Sequence, residues 1–289
     1  MTPFFILQII FQHNINIRMN KEQRLLFDQY LTLLGLEISD PSFAFLCEIV
    51  KAQLIRIPFE NISKLLLKKY NLNYIPPLME YLKGIEKYSF GGTCYANNYY
   101  LFLLLEHLGY DVKLCGADMK NPDVHLISIV IINGTEYIVD CGYAAPFFKP
   151  LPRDLEEDFT LYFGEEEYII KAQDRSGLTK IEQFFNGKLQ HWYTVKPQPR
   201  KIEEFKKVII DSYADDATFM NAIRITRFTE NGSFVLKNLY LTETIDHKTF
   251  TTKIARKDLP AIVEQKFGMP ADIVSKAISH IEELKDIYD

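Results

Sequence analysis

A chain of 289 residues of which 47% are apolar can bury a sizeable core without staples. Its 33 basic and 38 acidic side chains leave a formal net charge of −5, with no strongly basic segment. Nucleic acid is thereby excluded as the main partner, because phosphate binding needs a concentrated positive face; a small phosphorylated cosubstrate is not excluded.

The chain opens on the apolar run MTPFFILQII. It has no basic n-region and no small-residue cleavage site, and it is too short to span a bilayer. Residues 1–18 therefore read as an extra leader in front of Met19, and nothing later reads as a membrane span. From Asn20 to about Leu108 the patterns are helical. A first helix places Leu25, Tyr30, Leu31 and Leu34 near one face and stops at Gly35. A second starts at an Asp-Pro-Ser cap signal and ends before Pro58. PPLMEYLKGIEKY predicts a third, and CYANNYYLFLLLEHLGY a fourth, apolar on most sides.

Short strands follow, with hairpin turns at Asn133-Gly134 and Asn186-Gly187. Lys196–Ala214 reads as a linker and then a helix. Further strands flank an Asn231-Gly232 turn, and a helical piece starts near Leu259. The order is helices, a barrel-like antiparallel region, then a mixed tail, which is an α+β chain. Four cysteines in a chain of this length do not make a disulfide framework, and no CxxC spacing points to a metal. A reducing, cytoplasmic setting without a metal site is expected.

Three residues could carry chemistry together. Cys94 follows Gly91-Gly92 and sits where the fourth helix begins. There the helix N-terminal partial charge lowers a thiol pKa below its free value of about 8.5. Cys47, Cys115 and Cys141 lie inside apolar runs and read as small hydrophobes. A cysteine nucleophile needs a base, and the base needs an orienting group. Of six histidines, His125 opens the apolar strand HLISIVI at a cleft-forming position, and Asp140 ends the strand that returns across the Asn133-Gly134 turn. Pairing of those strands makes His125 and Asp140 cross-strand neighbours. The bland alternatives are a surface histidine and a turn-binding aspartate.

In this arrangement the chain resembles the arylamine N-acetyltransferases. The family pattern runs PFEN, RGGxCxExN, a His-initiated strand, DVGFG and PL. The corresponding segments here are IPFENI, FGGTCYANN, His125, DCGYA and PLP. The resemblance spans nearly everything from Met19. It implies a helical bundle over 19–108, a β-barrel over 109–205 and an α/β lid over 206–289, similar to the cysteine-protease core. It also implies a Cys94-His125-Asp140 triad and ping-pong transfer of acetyl from acetyl-coenzyme A to an aromatic amine, hydrazine or hydroxylamine. The backbone N–H of Tyr95 would serve the oxyanion, and Phe59 and Tyr143 match positions lining the acceptor pocket. No nucleic acid, membrane or metal is implied, and no subunit number. A related amide synthase, a papain- or transglutaminase-like hydrolase and a non-catalytic ligand-binding member are the competing readings.

Phe90 stands where the family keeps an arginine, Ala96 where it keeps a glutamate, Tyr143 for phenylalanine and Ala144 for glycine. The arginine is expected to pair with the PFEN glutamate, which is Glu60 here. A buried carboxylate without a cation costs several kcal/mol or protonates. Arg56 or Lys64 moving in, or solvation of Glu60, would answer that; a replacement hydrogen-bond network is the expected outcome. With Thr93 as N-cap, Ala96 at N3 removes one capping-box contact.

Overall fold

The computed structural model describes residues 22–246 and 248–284; the predicted leader, 1–18, lies outside them. Helix α1 runs through residues 22–34 and ends at Gly35, whose φ of 68° is left-handed. Its buried stripe is Phe27, Tyr30, Leu31 and Leu34, at spacings of 3, 1 and 3. Leu25, expected on that face, is 59% exposed, because five residues before Tyr30 is well over one turn. Helix α2 (Phe43–Arg56) is capped as the Asp-Pro-Ser signal predicts: Ser42 Oγ accepts from Phe45 N at 3.1 Å. Such a cap stabilises a helix by about 1 kcal/mol.

Two elements between α2 and the third predicted helix were not legible. Phe59–Glu60 form strand β1, and Ile62–Lys69 form helix α3. Then come α4 (Leu78–Tyr88) and α5 (Cys94–His107). Helix α5 is apolar on most sides because two cores grip it. Ala96, Tyr100, Leu101, Leu104 and Leu105 enter the core shared with α1, α2 and α4, and Cys94 and Tyr95 enter one shared with the C-terminal region. Each fully buried leucine there contributes roughly 1.5–3 kcal/mol.

Strands β2 (Asp111–Asp118), β3 (His125–Ile132), β4 (Thr135–Val139), β5 (Leu151–Pro152), β6 (Phe159–Phe163), β7 (Glu166–Ile170), β8 (Thr179–Phe185) and β9 (Lys188–Pro199) make one antiparallel sheet. Its order is β5-β4-β3-β2-β9-β8-β7-β6. Inward side chains of β2, β3, β4, β5, β7, β8 and β9 meet in a single core, so the sheet curls into a nearly closed barrel. The two predicted Asn-Gly turns have both residues at positive φ, as a tight hairpin between right-twisted strands requires. The segment from Lys196 was expected to be linker; instead β9 continues through Pro199, and a 3₁₀ turn at Ile202–Phe205 leads into α6 (Lys206–Asp211).

The second sheet, order β1-β10-β11-β12-β13, is antiparallel throughout. Its strands are β10 (Arg224–Thr229), β11 (Gly232–Lys237), β12 (Tyr240–Ile245) and β13 (Lys248–Lys253). The β10–β11 turn is Glu230-Asn231 rather than Asn231-Gly232. Gly232 is already paired with Ile245, and a side chain there would overlap the Thr244 carbonyl. Helices α7 (Leu259–Phe267) and α8 (Ala271–Ile278) share this sheet's core, and α8 packs on α3. The N-terminal segment thus contributes the edge strand of the C-terminal sheet: Phe59 pairs with Thr226 on one side and bridges Gly92 on the other.

No helix among the described residues is long and apolar enough to cross a membrane. No group of three or more metal-ligating side chains occurs among the described residues.

Candidate active site

Close backbone approaches bring three segments together at the start of α5. Gly91 passes so near the Pro58 carbonyl that a side chain would overlap it. Gly142 lies over the helix start, where an added Cβ would fall 2.6 Å from Cys94 Cα. Glycine at 142 therefore lets the strand end bearing Asp140 rest on the helix end bearing Cys94. Thr93 is the N-cap, as expected, in extended conformation, but its side chain makes no capping bond.

Strand β3 is buried on both faces. Ile127 and Ile129 enter the barrel, while Leu126 and Val130 enter the two cores that grip α5. His125 shares the phase of Ile127 and so faces the barrel mouth, where its ring meets Tyr193 edge-to-face at 5.0 Å. The hairpin register pairs Ser128 with Val139. Asp140 is therefore diagonal to His125 rather than opposite it, and its side chain reaches back: His125 Nε2 to Asp140 Oδ2 is 2.7 Å, both residues being almost wholly buried.

The thiol of Cys94 approaches the Val124 carbonyl, next to His125, at 4.0 Å, and its charge acts on the His125 ring. With Nε2 committed to Asp140, Nδ1 is the ring nitrogen left for sulfur. Burial pulls the His125 pKa down, but the charges of Asp140 and Cys94 and the hydrogen bond to Asp140 outweigh it and raise it to about 10. Burial pushes Asp140 up, but the His125 charge and the hydrogen bonds from His125 and Asn98 hold it below the usual carboxylate range. The pair is thus an imidazolium and a carboxylate at neutral pH. Burial raises Cys47, raises Cys115 to about 12 and raises Cys141 well above the ordinary thiol value. These three are kept as thiols, in line with their apolar sequence surroundings.

Asn98 and Asn97 hold this geometry, and neither was singled out from sequence although they follow Cys94 by four and three residues. Asn98 Nδ2 donates to Leu126 O at 2.6 Å and to Asp140 Oδ1 at 2.8 Å, and its Oδ1 accepts from Cys141 N at 2.8 Å. Asn97 Nδ2 donates to Pro58 O and Gly92 O, each at 3.2 Å. Asn61 does the same for the C-terminal unit, donating to Phe219 O and Ala222 O and accepting from Arg224 N. The spacing of an asparagine four residues after a helix-opening cysteine is the signal that could have marked Asn98.

Glu60 is fully buried and forms no ion pair among the described residues. Its oxygens accept from Ser63 Oγ at 2.5 Å, Ser63 N at 2.9 Å and Gly91 N at 3.2 Å. Burial raises its pKa and these bonds oppose the rise. Hydrogen bonds, not a substitute cation, take the place of the arginine expected at position 90.

Of the remaining expected site residues, Phe59 packs its ring on Phe219 at 5.7 Å, and Tyr143 stands edge-on to His125 at 5.9 Å. The Tyr143 hydroxyl bonds His191 Nδ1 at 2.7 Å. Burial and the His125 charge lower His191 to about 4, so it is a neutral ring at pH 7. The Tyr95 N–H lies in the first turn of α5, where backbone donors have no acceptor within the helix.

Residues 42–275 match a family model described as N-acetyltransferase. Among curated proteins, the chain is 27% identical over 223 residues to an arylamine N-acetyltransferase of Gallus gallus, the pineal gland isozyme NAT-10, covering 69% of this chain and 76% of that one. It is 24% identical over 173 residues to a Proansamycin X synthase of Amycolatopsis mediterranei, covering 56% of this chain and 64% of that one. Solved structures share the fold. The arylamine N-acetyltransferase from Mycobacterium abscessus superposes with TM-score 0.76 at 14% identity, over 89% of this chain and 95% of that one. The Mycobacterium marinum arylamine N-acetyltransferase in complex with CoA gives 0.74 at 19% identity, over 89% and 99%.

Proposed function

The chain belongs to the arylamine N-acetyltransferase family, and on that premise we propose that it carries acetyl from acetyl-coenzyme A, by way of a thioester on Cys94, to an arylamine, arylhydrazine or hydroxylamine. The observation that carries this reading is the buried His125–Asp140 contact of 2.7 Å, with Cys94 at the helix start on which Gly142, two residues after Asp140, rests.

In the resting site His125 holds the proton that Cys94 gives up. The thiolate attacks the thioester carbonyl carbon, a carbon–sulfur bond forms, and the oxygen takes the negative charge opposite the Tyr95 N–H. Collapse of that centre breaks the bond to the coenzyme's sulfur, which leaves with the proton from His125. The ring is then neutral. The amine attacks the acetyl-Cys94 carbonyl, His125 accepts the amine proton, and Cys94 departs as thiolate. Asp140 keeps the ring in one orientation throughout and stabilises its charged form. Phe59 and Tyr143 line the acceptor subsite.

Intact-mass measurement after mixing with acetyl-coenzyme A tests the reading. The expected result is a single acetyl adduct, absent in Cys94→Ala and discharged by an aminobenzoate. An unmodified wild-type protein under reducing conditions would overturn it. The match to a Proansamycin X synthase favours one second reading, in which Cys94 carries a larger acyl group and closes an amide. That reading predicts no adduct from acetyl-coenzyme A and one from a longer-chain acyl thioester.

A further inference from the structure

Lys64, on α3, is only 5% exposed. It forms no ion pair among the described residues. Its ammonium donates to Ser212 Oγ at 2.6 Å and lies 4.4 Å from the centre of the Tyr213 ring and 5.7 Å from that of Tyr95. Tyr95 is the residue after Cys94, so the cation reaches the first turn of α5. Lys64 also borders a cavity of about 60 Å³, whose wall includes Phe90, Thr93, Tyr95 and Ala96. The positions that lack the family's charged side chains are thus in the wall that Lys64 shares.

A buried ammonium without an anion is costly, so the anion it faces is informative. The titratable groups around it are Cys94 and Tyr95 from α5, Tyr213 beyond α6, and Glu80 and Tyr81 from α4 across the cavity. Burial lowers the Lys64 pKa to about 8, and the negative charge of Cys94 opposes that fall. Glu60, one turn earlier, is satisfied separately by Ser63 and Gly91. With the thiol ionised, Asp140 and Cys94 are negative and His125 is positive. Lys64 brings that buried set to neutrality.

We propose that Lys64 is a positioning residue for the Cys94 thiolate, supplying a second positive charge, in addition to the His125 imidazolium, from the Tyr95 side of the α5 start. Through Ser212 and Tyr213 it ties that charge to the C-terminal unit. The proposal rests on Cys94 being the nucleophile. It also implies reciprocity: once sulfur is a neutral thioester or thioether, Lys64 holds its proton less tightly.

The test is iodoacetamide alkylation of the full chain at pH 7, with each cysteine followed by peptide mass. The expected result is a rate at Cys94 at least about fivefold lower in Lys64→Met than in wild type, and within about twofold of wild type in Lys64→Arg. A structural role alone would not be rescued by charge. Equal rates in a fast-labelling wild type and a folded Lys64→Met overturn the role of Lys64. A wild-type Cys94 that labels no faster than Cys115 overturns the underlying reading of Cys94 instead. Should Lys64→Met fail to fold, side-chain nitrogen NMR of lysine-labelled wild type decides the matter. The Lys64 titration midpoint falls after Cys94 is carboxamidomethylated, and an unmoved midpoint overturns the proposal.

Discussion

Asn98 Nδ2 lies 2.8 Å from Asp140 Oδ1, and the same side chain accepts from Cys141 N. One amide on the helix that carries Cys94 therefore clamps the strand end that carries the aspartate. Asn98→Ala removes these two bonds and the one to Leu126 O, which takes away the amide partner of Leu126 O and Cys141 N and leaves Asp140 Oδ1 only the Gly142 N–H. Each buried group that loses its partner costs about 1–3 kcal/mol. Urea unfolding is expected to show a loss of about 2–4 kcal/mol. Alkylation of Cys94 should slow alongside. A loss below about 0.5 kcal/mol, the range of an ordinary surface change, would contradict the clamp.

The His125–Asp140 pair makes stability depend on pH in a defined direction. The folded pKa of His125 is raised to about 10. Its contribution is fully present below the unfolded value of about 6.5, declines as pH rises above it, and is lost beyond the folded value. That of Asp140, whose folded pKa is lowered, is present above about 3.9 and lost as pH falls through the folded value. Removing one partner of a buried pair costs about 3–5 kcal/mol. The stability gap between wild type and Asp140→Asn should therefore be widest near pH 6 and narrow towards pH 10. Chemical denaturation at pH 6, 8 and 10 measures it, and a gap that widens with pH would refute the charged pair.

Glu60 gives the opposite acid limb. Its folded pKa is raised, so the carboxylate is most costly at neutral and higher pH. Ser63→Ala deletes the 2.5 Å hydroxyl bond that opposes that rise. A destabilisation of about 1–3 kcal/mol is expected, smaller at pH 5 than at pH 8 because lower pH favours the protonated carboxyl. Equal losses at both pH values would mean that Ser63 acts by packing alone.

Much of this site could be read from sequence because its punctuation is local. Gly91-Gly92 marks a close backbone approach and Asn133-Gly134 a tight turn, so the helix start at Cys94 and the hairpin joining His125 to Asp140 followed. The hairpin register did not follow in detail: His125 and Asp140 meet diagonally, because Asp140 lies one residue beyond the end of β4 and its side chain reaches back. Strand β1 is two residues long and exists because Thr226 and Gly92 flank it. Nothing within Phe59–Glu60 announces it. Helix α3 was hidden for a similar reason: Ile62 and Leu65 turn inward, but Lys64 is buried beside them, which no amphipathic pattern foretells. Replacement of an arginine–glutamate pair by Ser63 and Gly91 donors was expected in kind; which donors would serve was a tertiary matter.

The central claim is that Cys94 is the activated thiol and that His125 activates it. The most direct measurement is the iodoacetamide labelling rate of each cysteine near neutral pH, in wild type and His125→Ala. The account predicts that wild-type Cys94 reacts at least about tenfold faster than Cys115 or Cys141, and that most of this advantage is lost in His125→Ala. Labelling of Cys94 at equal rates in the two proteins would contradict it.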